Sequence, residues 1–152
     1  MRIALINQTN KLDFYKIVES ELLPAFKIPL YISKVSAGFP SPAEDYVELS
    51  IDFNHFLIDK PHATFCVRVK GNSMEGAGIQ DGAMLIVDRS KEATNGKIII
   101  GSLNGEFTVK RIKKVENDLY LLPEHPNYKP IHVTEGMDFQ VWGVVTFIIN
   151  KA

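Results

Sequence analysis

With 152 residues, 45% of them apolar, and a formal net charge of −1, the chain has material for one domain with a real core and a short appended segment. The charge balance excludes a protein held to nucleic acid mainly by electrostatics, whose domain would be clearly basic. A single cysteine, Cys66, excludes an internal disulfide framework and any multi-cysteine metal site; set between Phe65 and Val67, it reads as a small buried apolar side chain, which suits a reducing cytoplasm.

Met1 to Asn10 carries an apolar run too short for the core of a signal peptide, and no stretch approaches the roughly 18 uninterrupted apolar residues of a membrane span. Leu12, Tyr15, Val18 and Leu22 have near-helical spacing, which predicts a short helix ended by Pro24. Ile28 to Ile32 reads as extended, because Pro29 excludes helix. Residues 1–37 therefore read as an arm, with Arg2, Lys11, Lys16, Lys27 and Lys34 set against Asp13, Glu19 and Glu21. Phe39-Pro40-Ser41-Pro42 is a stiff, extended hinge.

Beyond the hinge, Asp52 is placed to cap a short helix through Phe53, Phe56 and Leu57, closed by Pro61. From Ala63 on, short apolar or alternating runs follow one another: Phe65–Val69, Met84–Val87, Ile98–Ile100, Phe107–Ile112, Leu119–Leu122 and Phe139–Ile149. Asp81-Gly82, Asn95-Gly96 and Asn104-Gly105 stand between them as hairpin signals. This pattern predicts a mainly β domain over residues 38–152, with short, mostly antiparallel strands in a barrel-like or multi-sheet core.

The chemistry concentrates after the strand Phe65–Val69, where Gly71-Asn72-Ser73-Met74 opens a turn-rich stretch running to Gly82. A serine at a strand end beside a flexible turn can present its hydroxyl while nearby backbone N–H groups stay unpaired, as a nucleophile and its oxyanion site require. Gly, Asn and Ser are also ordinary turn formers, and the tetrapeptide alone does not decide between the two. From Ser73 to Lys110 the separation is 37 residues, and Lys110 lies in a strand among Phe107, Val109 and Ile112. Alternation puts Lys110 on one face with Thr108 and Ile112. A solvated lysine, with a pKa near ~10.4, is almost wholly charged at pH 7, but burial can lower that by roughly 3–5 units. The plainer reading of Lys110 is an edge-strand lysine kept for solubility.

Ala37-Gly38, the strand-end Ser73 and the strand lysine Lys110 have a spacing that resembles the LexA/UmuD family of self-cleaving Ser-Lys proteins, and most closely its UmuD branch. Phe39 to Glu48, Gly71-Asn72-Ser73-Met74, Leu85-Ile86-Val87-Asp88 and Gly105 to Lys110 look like that family's signature blocks, so the resemblance runs from about Ala37 to the C-terminus. It implies a family-like β fold and a reaction in which Ser73 attacks the carbonyl of Ala37. Lys110 then acts as general base, and backbone N–H groups of Asn72 or Ser73 hold the oxyanion. The same resemblance implies loss of residues 1–37, a homodimer, stimulation by a RecA filament on single-stranded DNA, and service of the processed form to a Y-family translesion polymerase. It implies no cofactor. One departure is visible: the UmuD branch leads one to expect cysteine before the glycine, whereas this chain has Ala37, as LexA does.

Two other readings compete. One is a LexA-like or phage-repressor-like regulator with a truncated DNA-binding part, although 37 residues interrupted by Pro24 and Pro29 are too few for three packed helices and a linker. The other is a catalytically silent interaction module. A Ser-His-Asp site drawing on His55, His62, His125 or His132 has no supporting spacing, and those scattered histidines do not form a metal-ligand pattern.

Overall fold

The computed structural model describes residues 2–9, 11–18, 28–31 and 48–152. The described residues hold eleven strands and one short α-helix: β1 (Arg2–Gln8), β2 (Leu12–Val18), β3 (Ile28–Tyr31), β4 (Glu48–Ile51), α1 (Phe53–Leu57), β5 (Thr64–Val69), β6 (Met84–Asp88), β7 (Ile98–Leu103), β8 (Glu106–Val115), β9 (Asp118–Leu122), β10 (Ile131–Val133) and β11 (Phe139–Ile149). Nine of the strands form one antiparallel sheet in the order β1-β2-β5-β6-β11-β7-β8-β9-β10, while β3 and β4 pair separately. The domain is thus mainly β and multi-sheet, as expected, and the large sheet stays open with β1 and β10 at its edges rather than closing into a barrel.

β-branched and aromatic residues make the central strands. In β5, Phe65, Val67 and Val69 point into a cluster shared with Leu85 and Val87 of β6, Ile100 of β7 and Val109 of β8. Each such fully buried side chain contributes roughly 1.5–3 kcal/mol. A second, smaller cluster joins Ile99, Ile112, Leu121 and Val144. Cys66 is fully buried, as its setting in the sequence indicates, and burial pushes its thiol up to about 11.

Several local signals act as expected. Asp52 caps α1, its carboxylate accepting from the Asn54 N–H at 2.9 Å. Asn104 (φ 49°) and Gly105 (φ 82°) form the two-residue turn joining β7 to β8, where a left-handed backbone matches the twist of the strands. Asp81-Gly82 and Asn95-Gly96 are not hairpin turns. The first closes a loop of residues 70–83 between the paired strands β5 and β6, and the second leads into β7.

The helix expected from Leu12 to Leu22 is a strand as far as it is described; Leu22 itself lies outside the described residues. Residues 12–16 of β2 pair antiparallel with β5 from Leu12↔Val69 to Lys16↔Phe65, and β1 pairs with β2 in turn. Leu12 and Phe14 alternate into the core at 1% and 5% exposure, and Phe14 packs on Phe107 and Phe65 with ring centroids 4.7 and 6.1 Å apart. The open edge of β5 and an apolar slot outweigh a spacing that only approximates a helical stripe.

Candidate active site

Ser73 and Lys110 reach one cleft from different halves of the sheet. Ser73 lies in the β5–β6 loop, beside Met74, which is 1% exposed in the main core. Lys110 lies on β8, beside Val109 of the same cluster. Two buried neighbours thus fix the two side chains, and Lys110 Nζ stands 3.4 Å from Ser73 Oγ. The cleft, about 420 Å³, is also lined by Lys11, Leu12, Phe107, Thr108 and Tyr128.

The loop carrying Ser73 is held from several sides. Gly71, at φ 104°, takes a conformation that favours glycine, and its N–H donates to Asp81 Oδ1 at 2.7 Å. The Ser73 carbonyl accepts from the Glu124 N–H at 2.8 Å, and the Glu124 carbonyl accepts from the Gly76 N–H at 2.7 Å. Arg111 Nε donates to the Glu124 carboxylate, and Tyr128 donates its hydroxyl hydrogen to Asn72 Oδ1 at 2.9 Å. Among the described residues none accepts from the backbone N–H groups of Asn72, Ser73 or Met74. Unpaired donors beside a hydroxyl are what an oxyanion site requires.

Lys110 is 9% exposed, and its Nζ donates to Thr108 Oγ1 at 2.8 Å and to the Val109 carbonyl at 2.9 Å. Burial, helped by the positive charge of Lys11, pulls its pKa down to about 8. At neutral pH an appreciable fraction of the amine is therefore unprotonated and able to accept a proton from a hydroxyl 3.4 Å away.

The expected Ser73, Lys110 and Asn72 come together, and Thr108 shares the Lys110 face as alternation indicates. Ala37 and Gly38 lie outside the described residues. Glu124, Tyr128 and Lys11 carry no local sequence signal, since each reaches the site only through the pairing of distant strands. Among the described residues no histidine hydrogen-bonds Ser73: His55 pairs with Asp52, His132 with Asp118, and His125 lies 3.9 Å from Glu75. Among the described residues no three His, Cys, Asp or Glu side chains converge as a metal site, and no helix is long and apolar enough to cross a membrane.

Comparison with known proteins agrees with this geometry. Residues 29–146 match the family described as peptidase S24-like. The chain is similar to protein SamA of Salmonella typhimurium, 42% identical over 123 residues that cover 81% of this chain and 85% of SamA. It is 40% identical to protein ImpA of Escherichia coli over 131 residues, which cover 81% and 83% of the two chains. It is 35% identical to a LexA repressor of Polaromonas over 129 residues, 85% of this chain and 54% of the repressor. With its signature blocks, its β fold and a family match across most of its length, the chain belongs to the peptidase S24-like, LexA/UmuD family.

Proposed function

We propose that the chain cuts its own peptide bond between Ala37 and Gly38 with a Ser73–Lys110 dyad. The observation that carries this reading is the 3.4 Å approach of Lys110 Nζ to Ser73 Oγ, with the lysine buried and its pKa near 8. Neutral Lys110 takes the Ser73 proton as Oγ bonds to the Ala37 carbonyl carbon, and the N–H groups of Asn72 and Ser73 hold the resulting oxyanion. The C–N bond then breaks, and the Lys110 ammonium delivers its proton to the departing Gly38 amine. Water, with Lys110 again as base, releases the acyl group from Ser73. A donor of this kind is worth about 2.7–4 kcal/mol, and tethering the substrate to its enzyme can supply about 7–11 kcal/mol.

The wider role follows the resemblance. The protein acts in the cytoplasm as a homodimer in SOS mutagenesis. A RecA filament on single-stranded DNA favours the cleavage-competent state, and the processed form serves a Y-family translesion polymerase without reading DNA sequence itself.

The test is intact mass after incubation at about pH 10, where Lys110 is neutral, with Ser73→Ala and Lys110→Ala alongside. A fragment beginning at Gly38 in the wild type alone supports the dyad. No cut, even with RecA filaments, overturns it in favour of a silent interaction module, and a specific DNA shift would favour a LexA-like regulator.

A further inference from the structure

The cleavage proposed above severs residues 1–37 from residues 38–152, yet part of the severed segment is built into the sheet. Arg2–Gln8 and Leu12–Val18 supply β1 and β2, and β2 covers the edge of β5 over five register pairs. This hairpin precedes the family match, which begins at residue 29. It is anchored by Leu12 and Phe14, both buried in the main core against Phe65, Val67, Val69 and Phe107.

Polar contacts tie the same two parts. The Lys70 N–H donates to the Lys11 carbonyl at 2.8 Å, and Lys70 Nζ donates to the Thr9 carbonyl at 3.2 Å. Lys70 Nζ also stands 2.8 Å from Asp13 Oδ1. That approach is an ion pair rather than an aligned hydrogen bond, for the same oxygen has no hydrogen-bond donor in good geometry. Asp13 is 5% exposed, so its carboxylate depends on a cation from the far side of the cut. Departure of the hairpin would bare the β5 edge, strip apolar cover from Phe65, Val67 and Phe107, and unpair Asp13.

We propose that the β5 edge and its apolar slot are a strand-acceptor site whose occupant is residues 2–18 of the same chain, so that the N-terminal fragment stays docked after the peptide bond is cut. Cleavage then nicks the folded body without shortening its sheet. Freed from its tether, the fragment becomes an exchangeable ligand, and the surface it covers is available only when it leaves. The chemistry that fits this surface is an extended strand with apolar side chains two residues apart, flanking a carboxylate that meets Lys70.

The site of the cut rests on the self-cleavage reading, but docking can be tested without it. A full-length Ser73→Ala chain carrying a site-specific protease sequence at residues 36–39 is nicked to completion, then weighed under denaturing and native conditions. The expected result is two fragments when denatured and one particle of full mass, plus one water, when native. A native particle lacking the N-terminal fragment overturns the proposal. In the same background, Phe14→Ala should weaken retention by roughly a hundredfold, as removal of a large core side chain does, and Phe14→Leu should restore most of it. Equal retention in all three chains would show that β2 does not hold the fragment. Failure of the wild type to cut itself would count against the dyad and leave this result standing.

Discussion

Lys11, in the turn between the first two strands, and Lys110, on β8, line the same cleft, and the positive charge of the first opposes protonation of the second. The proposed general base is thus tuned in part by a residue outside the family match. Substitution of Lys11 should move the pH midpoint of self-cleavage upward. Lys11→Ala should shift it by a few tenths of a unit and Lys11→Glu by more, both shrinking in about 1 M salt, where the screening length falls to roughly 3 Å. A midpoint that stays fixed in both variants would show that burial alone sets the Lys110 pKa.

The pH profile of the unaltered protein has its own expected form. Only the neutral amine accepts a proton, so the rate should rise with pH through a midpoint near 8 and level off above about pH 9. At pH 7 about one molecule in ten has Lys110 neutral, which leaves roughly a tenfold gain available. Loss of full-length mass against time, measured at fixed ionic strength, checks this. A midpoint near that of free lysine would contradict a buried base.

A buried ammonium with a lowered pKa costs stability at neutral pH. The unfolded chain binds the proton more tightly than the folded one, so unfolding free energy should rise with pH between about 8 and 10.5. The cost, fully present below pH 8, is about 3 kcal/mol. Lys110→Met should therefore abolish cutting while raising the denaturation midpoint at pH 7, and the gain should vanish above about pH 10.5. Equal stability of the two chains at pH 7 would count against the burial cost.

Gly76 tests the support beneath Ser73. A Cβ at this position would meet the Glu124 carbonyl oxygen at 2.7 Å, closer than real contacts allow. Gly76→Ala should push the two backbones apart and disturb the Glu124 bond to the Ser73 carbonyl. A loss of about 1–3 kcal/mol in denaturant unfolding is expected, together with a fall in cleavage rate at every pH and no change in midpoint. An unaltered rate would show that this bond does not position Ser73.

Much of the site was legible because its parts are local. Ser73 follows an apolar strand and a glycine, while Thr108 and Lys110 share a strand face by simple alternation. The strands from β5 to β9, and β11, stand out for the same reason, as does the Asp52 cap. The N-terminal hairpin was misread because Leu12, Tyr15 and Val18 satisfy a loose helical period, and nothing nearby in sequence announces the open edge of β5. Glu124 was invisible on similar grounds. It acts through its backbone, just beyond β9, on a residue about fifty positions earlier, and backbone contacts leave no mark in side-chain pattern.

The place of β11 in the sheet has a bearing on when the proposed dyad can assemble. β11 pairs with β6 on one side and β7 on the other, joining the half that carries Ser73 to the half that carries Lys110. It follows both halves in the chain, so during synthesis Ser73 and Lys110 emerge from the ribosome before the strand that joins their halves. A partly made chain would hold both side chains without a frame to bring them together, so the self-cleavage proposed above would wait until the sheet is whole.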